Sequence, residues 1–193
     1  MRIRVALSLI IAIMIFAGAG FATYRAQAQP SREDDVAVTY VGTIEGEPDV
    51  FVGVGLVGDE ATVYICDGQA DKNTVSVAEW FIGPVLNGQV EVLNESGNRA
   101  QVTLNETTGS GQFTFVDGTV KTFTLELVQI EGAGLFRSEF GFGENLFVGG
   151  WIILSDGSVR GAVLQRPTVT TPAILEPANF LVFSSAIYMK VDG

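Results

Sequence analysis

The chain has 193 residues, and at roughly 100–200 residues per domain it holds one domain unless the composition breaks, which it does only at the N-terminus. Hydrophobic residues make up 47%, charged residues 17%, and glycines number 23, a balance that suits turn-dense β structure and excludes disorder for the bulk of the chain. There is no His, which excludes Ser-His-Asp and Cys-His catalysis, imidazole metal ligands and imidazole pH switches.

In chain order, Met1-Arg2-Ile3-Arg4 is a short basic region, Val5 to Ala22 is an apolar stretch of 18 residues, and Ala26-Gln27-Ala28 has the small-x-small form of a signal-peptidase site. This pattern reads as a Sec signal peptide over 1–28, followed by a linker over 29–35. The stretch is close to the roughly 20 residues that span a bilayer, so retention as an N-terminal anchor is the alternative. In that case residues 5–22 are the only contact with a membrane. Either way the leading arginines hold the N-terminus in the cytoplasm and the domain faces outward, as a secreted, periplasmic or cell-surface protein.

Cleavage after Ala28 removes Arg2, Arg4 and Arg25 and leaves eight basic residues against 22 acidic ones, a net charge of −14. Such a surface repels phosphate backbones and anionic headgroups, so no nucleic-acid partner is expected.

Residues 36–193 read as a single all-β domain. The pattern has period two, with turn residues about every ten positions. The expected strands are Val36–Ile44, Val50–Val57, Ala61–Cys66, Gln89–Leu93, Ala100–Leu104, Gln112–Val116, Val120–Val128, Leu135–Phe142, Phe147–Leu154 and Val159–Leu164. Asp117-Gly118 and Asp156-Gly157 mark tight hairpins. About ten short strands joined by hairpins suggest an antiparallel meander, closed or nearly closed into an up-and-down barrel, with a β-sandwich as the alternative. Ser76 to Pro84 breaks the alternation and reads as one or two helical turns or a crossing strand, ended by Gly83-Pro84. From about residue 165, Pro167, Pro172 and Pro177 mark an extended segment. Phe180–Phe183 and Ile187–Met189 then form a last strand placed to pair with the first.

Few motifs survive their context. Gly53-Val54-Gly55-Leu56-Val57-Gly58 has the letters of a dinucleotide loop but opens no helix, so it reads as a strand with small residues on one face, where something bulky comes close. Asp67, Gln69, Asp71 and Asn73 imitate the start of a calcium loop, but Lys72 replaces the turn glycine and Ala78 the bidentate Glu. Cys66, the only cysteine, ends an apolar run and reads as a buried small hydrophobe, an intermolecular disulfide being the alternative. No cofactor is implied. The material for hydrolysis is limited to carboxylates such as Glu139, Glu144 and Asp156.

Leu135 to Trp151 is the most aromatic segment. On a strand, Phe136, Ser138, Phe140 and Phe142 share one face, while Arg137 and Glu139 share the other, solvated one. The next strand is apolar on both faces, with Phe147, Trp151 and Ile153 opposite Val148, Ile152 and Leu154, so something must cover its outside. Trp80-Phe81 or Phe180–Phe183 would supply that cover, with Trp151 in the core. The functional alternative is a ligand or partner surface made of Trp80, Phe81, Phe140, Phe142 and Trp151.

The succession Tyr40-Val41-Gly42, Tyr64-Ile65-Cys66-Asp67-Gly68, Ala78-Glu79-Trp80-Phe81, Ala133-Gly134-Leu135-Phe136-Arg137 and Gly150 to Gly161 resembles a class of exported bacterial β-domains with no assigned activity. The resemblance covers about Val38 to Leu164. It implies export and an all-β fold, and it carries no catalytic residues across. The expected function is a non-enzymatic binding or interaction module in the cell envelope or extracellular space, with an unknown protein or envelope component as partner. The alternatives are a carboxylate-dependent hydrolase on an envelope polymer and a carrier of a small apolar ligand, the last needing a cavity of a few hundred Å³.

Overall fold

A computed structural model describes residues 38–142, 145–166, 169–174, 180–183 and 186–189. Eight antiparallel strands, β1 (Val38–Ile44), β2 (Glu47–Val57), β3 (Glu60–Cys66), β4 (Ala78–Leu86), β5 (Gln89–Leu93), β6 (Arg99–Leu104), β7 (Thr108–Thr114) and β8 (Val120–Leu127), close into an up-and-down barrel. Closure comes from β1 pairing with β8, Tyr40 opposite Leu127 through Ile44 opposite Phe123. Alternation fills the barrel: Val52, Val54, Val63, Ile65, Phe81, Val102, Phe113, Phe123 and Leu125 all point inward and are buried in one cluster. The Phe113 ring lies 5.2 Å from Phe81 and 4.8 Å from Phe123. Eight strands enclose a space that side chains of this size can fill.

The expected meander of about ten strands therefore divides. β9 (Gly134–Phe142), β10 (Asn145–Ile153), β11 (Val159–Arg166) and the short edge strand β12 (Val169–Pro172) form a second sheet in the order β12-β11-β10-β9. β13 (Phe180–Phe183) and β14 (Ala186–Met189) pair with each other, not with β1, because β2 and β8 already occupy both edges of β1. The helical reading of Ser76 to Pro84 is also corrected. Among the described residues there is no helix, and Ala78 to Leu86 is a strand paired along β3 from Glu60–Pro84 to Cys66–Ala78. Strand β7 starts at Thr108, ahead of the expected Gln112. Val36, Ala37, Glu144, Pro167 and Pro177 lie outside the described residues.

The second sheet packs on the outer wall of β1, β2 and β3, and glycines set the approach. Leu135 and Ile152 fill the space above Gly53, where a Cβ would come to 3.1–3.2 Å of them. The glycine-rich face of β2 thus serves close packing, as its pattern suggested. Gly161 donates its N–H to the Gly68 carbonyl at 3.1 Å, and a Cβ on Gly68 would strike the Gly161 carbonyl at 2.1 Å. Val41, Phe51, Tyr64, Cys66, Ile152 and Ala162 are buried between the two layers. Burying one such large apolar side chain is worth about 1.5–3 kcal/mol. On the far face of the second sheet, Trp151 lies flat across Gly149 and Gly161, packed by Phe136, Val159, Val163 and Ala173, and is 1% exposed.

Candidate functional site

The β4–β5 seam of the barrel is nearly unpaired. Asn87 and Gly88, with φ of 52° and 73°, make the two-residue turn that joins the strands. Only Val85–Val90 and Leu86–Gln89 pair across it. The next residue down β4 is Pro84, which has no N–H to give to a ladder. Beyond it, Ala78 to Gly83 makes no backbone pairing with β5, although Val92 still closes the inner side, 3.2 Å from where a Cβ on Gly83 would sit.

The direction of the free backbone groups follows from strand alternation. Val85 donates its N–H to the Asp59 carbonyl on the β3 side at 2.8 Å, so Gly83, Phe81 and Glu79 face β3 as well. Ala78, Trp80 and Ile82 therefore turn their N–H and C=O groups toward β5. On the opposite strand Val90 and Val92 pair with Val102 and Ala100 of β6. Gln89 faces Leu86 across the turn, so Glu91 and Leu93 turn theirs toward β4. The two edges stay in side-chain contact at Gly83 and Val92 but form no ladder past the hairpin.

A side-chain clasp holds the far end of this opening. The Glu79 carboxylate accepts hydrogen bonds from the Asn94 and Asn98 side-chain amides, the latter at 2.7 Å. Asn98 is buried and accepts in turn from the Val116 N–H at 2.9 Å, which ties the β5–β6 turn to the β7–β8 turn.

Over the opening leans the second sheet. The resulting cleft, about 490 Å³, is lined by Trp80 and Ile82 of β4, Leu93, Asn94 and Ser96 of β5 and its turn, and Arg137 and Leu164 of the second sheet. Ile82 is 46% and Leu93 61% exposed. Trp80 stacks on Tyr64 with ring centroids 4.0 Å apart, and the Arg137 guanidinium sits 5.3 Å from the Trp80 ring while pairing with Glu139. The Trp80 indole N–H and the Tyr64 hydroxyl are buried and make no hydrogen bond. Burial first, then the neighbouring Cys66, pushes the Tyr64 phenol well above its ordinary range.

Of the five residues expected to form a ligand or partner surface, only Trp80 lines this cleft. Phe81 points the other way on β4, into the barrel core at 1% exposure, which corrects its assignment to a surface. Trp151 is packed beneath its neighbours. Phe140 stacks on Phe147 at 4.7 Å on the far face of the second sheet. Phe142 lies at the end of β9, and its side chain is outside the described residues. Arg137, expected on a solvated face, is on the face turned toward the barrel. Ile82, Leu93 and Leu164 escaped the sequence reading; Pro84 inside an apolar run was the available signal.

Two other hollows differ in kind. One, of about 540 Å³, lies on the outer face of β5 to β8, where the strands are fully paired and Gln101 and Gln112 bond each other at 2.9 Å. Another lies at the barrel end, where each carboxylate is already engaged: Glu47 with Lys121, Asp67 with the Ser76 and Val77 amides, Asp117 with the Thr119 amide. Those bonds give Asp67 a role in closing its own loop. Among the described residues no three His, Cys, Asp or Glu side chains group to hold a metal. Glu139 pairs with Val148, roughly 17 Å at strand spacing from the Ile153 end that leads to Asp156, so the two do not share a cleft. Cys66 is buried and free, and burial raises its thiol above the ordinary value.

Comparison of the chain with family models, with curated proteins and with solved structures found no match.

Proposed function

We propose that the protein is a non-enzymatic binding module, exported to the cell envelope or beyond, whose ligand seats in the cleft between β4, β5 and the second sheet. The observation that carries this reading is the cleft itself, a concave site where apolar side chains stand exposed beside backbone groups that no other strand uses. The filled barrel interior favours this seat over a lumen for a carried apolar molecule. Export is supported by the order of basic flank, apolar run and small-residue site at the N-terminus.

Methyl NMR on the full chain tests the seat. A panel of peptides, envelope oligosaccharides and lipids is titrated while the Ile82, Leu93 and Leu164 methyls are followed. At least one class should shift these three together. A panel that shifts only methyls elsewhere, or none, overturns the reading.

A further inference from the structure

We infer that the ligand of the cleft is an amphipathic helix of a partner protein, which seats one bulky apolar side chain in the cleft and lies along the outer face of β4 with basic residues on its flanks. The inference rests on the cleft being the binding site, and the rest of the surface follows from a contrast around the barrel. Where the second sheet covers the wall, the outward residues are apolar, as with Val41, Phe51 and Tyr64. Where only water covers it, over β6 to β8, they are polar, as with Gln101, Thr103, Ser110, Gln112 and Thr122. Strand β4 departs from this pattern. Phe81 and Val85 pack into the barrel, so Ile82, Pro84 and Leu86 point outward, and all three are exposed, Leu86 at 68%. Leu93 adds a fourth exposed apolar side chain on β5. Single apolar residues on a surface are ordinary, but a contiguous row marks a contact surface.

The neighbours of this row select a helix. The seam beside it is shut, with Gly83 packed against Val92, the hairpin at one end and the Glu79 bonds to Asn94 and Asn98 at the other, so an extended segment has no room to pair there. An extended segment laid flat on the row would bury its own N–H and C=O groups against apolar side chains, whereas a helix satisfies them internally. From Trp80 to Leu86 the row runs about 20 Å at the strand rise, the length of nearly four helical turns. Carboxylates flank it. Glu60 is the β3 partner of Pro84, and the pairing of Val85 with Val90 sets Glu91 across from Pro84 on the other side. With the chain's net charge of −11, these favour Lys and Arg on the flanks of the helix. They disfavour a second copy of this chain, whose own rim is acidic, and an anionic bilayer.

The test uses the full chain and a capped 14-residue peptide, Leu-Lys-Lys-Leu-Leu-Lys-Leu taken twice, beside an analogue with proline at a central leucine. The first peptide should shift the Ile82, Leu86 and Leu93 methyls, and the proline analogue should bind at least about tenfold more weakly because its helix is broken. Leu86→Ser should weaken binding at least about fivefold, while Val116→Ser, at an exposed apolar residue on the opposite barrel end, leaves it unchanged. Glu60→Gln should weaken it about two- to fivefold, the worth of one exposed ion pair, and Asp71→Asn, an equal loss of charge in a distant exposed loop, should have no such effect. Equal binding of the two peptides, or binding indifferent to Leu86→Ser, overturns the inference. A phosphatidylcholine vesicle that moves these methyls when the peptide does not also overturns it, since the row then faces lipid. If the peptides leave the methyls unmoved while a sugar or lipid of the panel moves Ile82, Leu93 and Leu164, the helix fails and the cleft stands as a seat; silence from every class sinks both.

Discussion

Gly150 of the second sheet lies directly against Trp80 of the barrel wall: a Cβ at position 150 would come within 2.4 Å of the indole and 2.7 Å of the Tyr64 ring. The two layers touch there because one strand offers no side chain. Gly150→Ala should therefore wedge the layers apart and cost about 1–3 kcal/mol, as overpacking of a filled core does. Gly55→Ala is the control, since its Cβ would meet Leu135 at a comfortable 3.8 Å. It should cost little or even stabilise the strand. Urea unfolding of both variants checks the pair, and equal midpoints would mean that the layers are not in register at Gly150.

Trp151 and Arg137 give a second contrast. Trp151 is buried on the far face of the second sheet, and its indole spans two glycines. Trp151→Ala should cost about 3–5 kcal/mol, a large share of the 5–15 kcal/mol that typically holds a domain together. Arg137 is partly exposed, pairs with Glu139 and caps the Trp80 ring. An exposed ion pair and a cation–π contact are each worth about 0.5–1 kcal/mol or less, so Arg137→Ala should cost no more than about 1 kcal/mol. A loss from Arg137→Ala as large as that from Trp151→Ala would place the guanidinium in the load path between the layers.

The part of the barrel away from the second sheet was legible because its strands are wet on one face. Val120–Leu127 alternates Phe123 and Leu125 inward with Thr122, Thr124 and Glu126 outward, and the period shows directly. Where a strand is covered on both faces the period fades, and β2 and β3 were readable instead as apolar runs bounded by turn residues. β4 puts Phe81 in the barrel and Trp80 under the second sheet, so its sequence reads as a compact apolar knot and invites a helix. The same double burial in β10 was readable as a covered strand, though not as half of a separate layer, because which strand pairs with which is a long-range choice. The cleft was the least legible feature. It comes from a pairing that fails, and only Pro84, a residue that strands tolerate where one side is unpaired, marks the place.

Tyr64 carries a pH dependence of definite sign. Its hydroxyl is buried without a hydrogen bond, and its phenol, like the Cys66 thiol, is held above the ordinary values of 10.0 and 9.0 chiefly by burial. The unfolded chain releases these protons first as pH rises. The folded state is then at its full stability below about pH 9 and loses it progressively as pH climbs through the raised folded values. Tyr64→Phe removes an unpaired polar atom, so at neutral pH it should leave stability unchanged or raise it, and it should flatten the alkaline decline. Urea midpoints from pH 7 to 11 decide the matter. A neutral-pH loss above about 1 kcal/mol would reveal a hydrogen bond to the phenol.

Pro84 is the residue that keeps the β4–β5 seam from zipping past its hairpin. Two pairs form beside Asn87-Gly88, and the third would need an N–H at position 84 aimed at β5. Pro84→Val supplies that donor and a side chain suited to strands, so the ladder should extend from Leu86 toward Ile82. Each added backbone bond contributes about 0.5–1.5 kcal/mol, set against about 0.4–1 kcal/mol lost because the unfolded chain gains freedom without proline. The net change in stability is small, so amide exchange is the sharper measurement. In the parent chain the Trp80 and Ile82 amides should exchange much faster than those of Val63 and Ile65 in the fully paired strand β3. In Pro84→Val the Ile82 amide should slow by at least about tenfold, one ladder bond being worth roughly that factor. If Ile82 is already slow in the parent, the seam is paired and Pro84 does not hold it open.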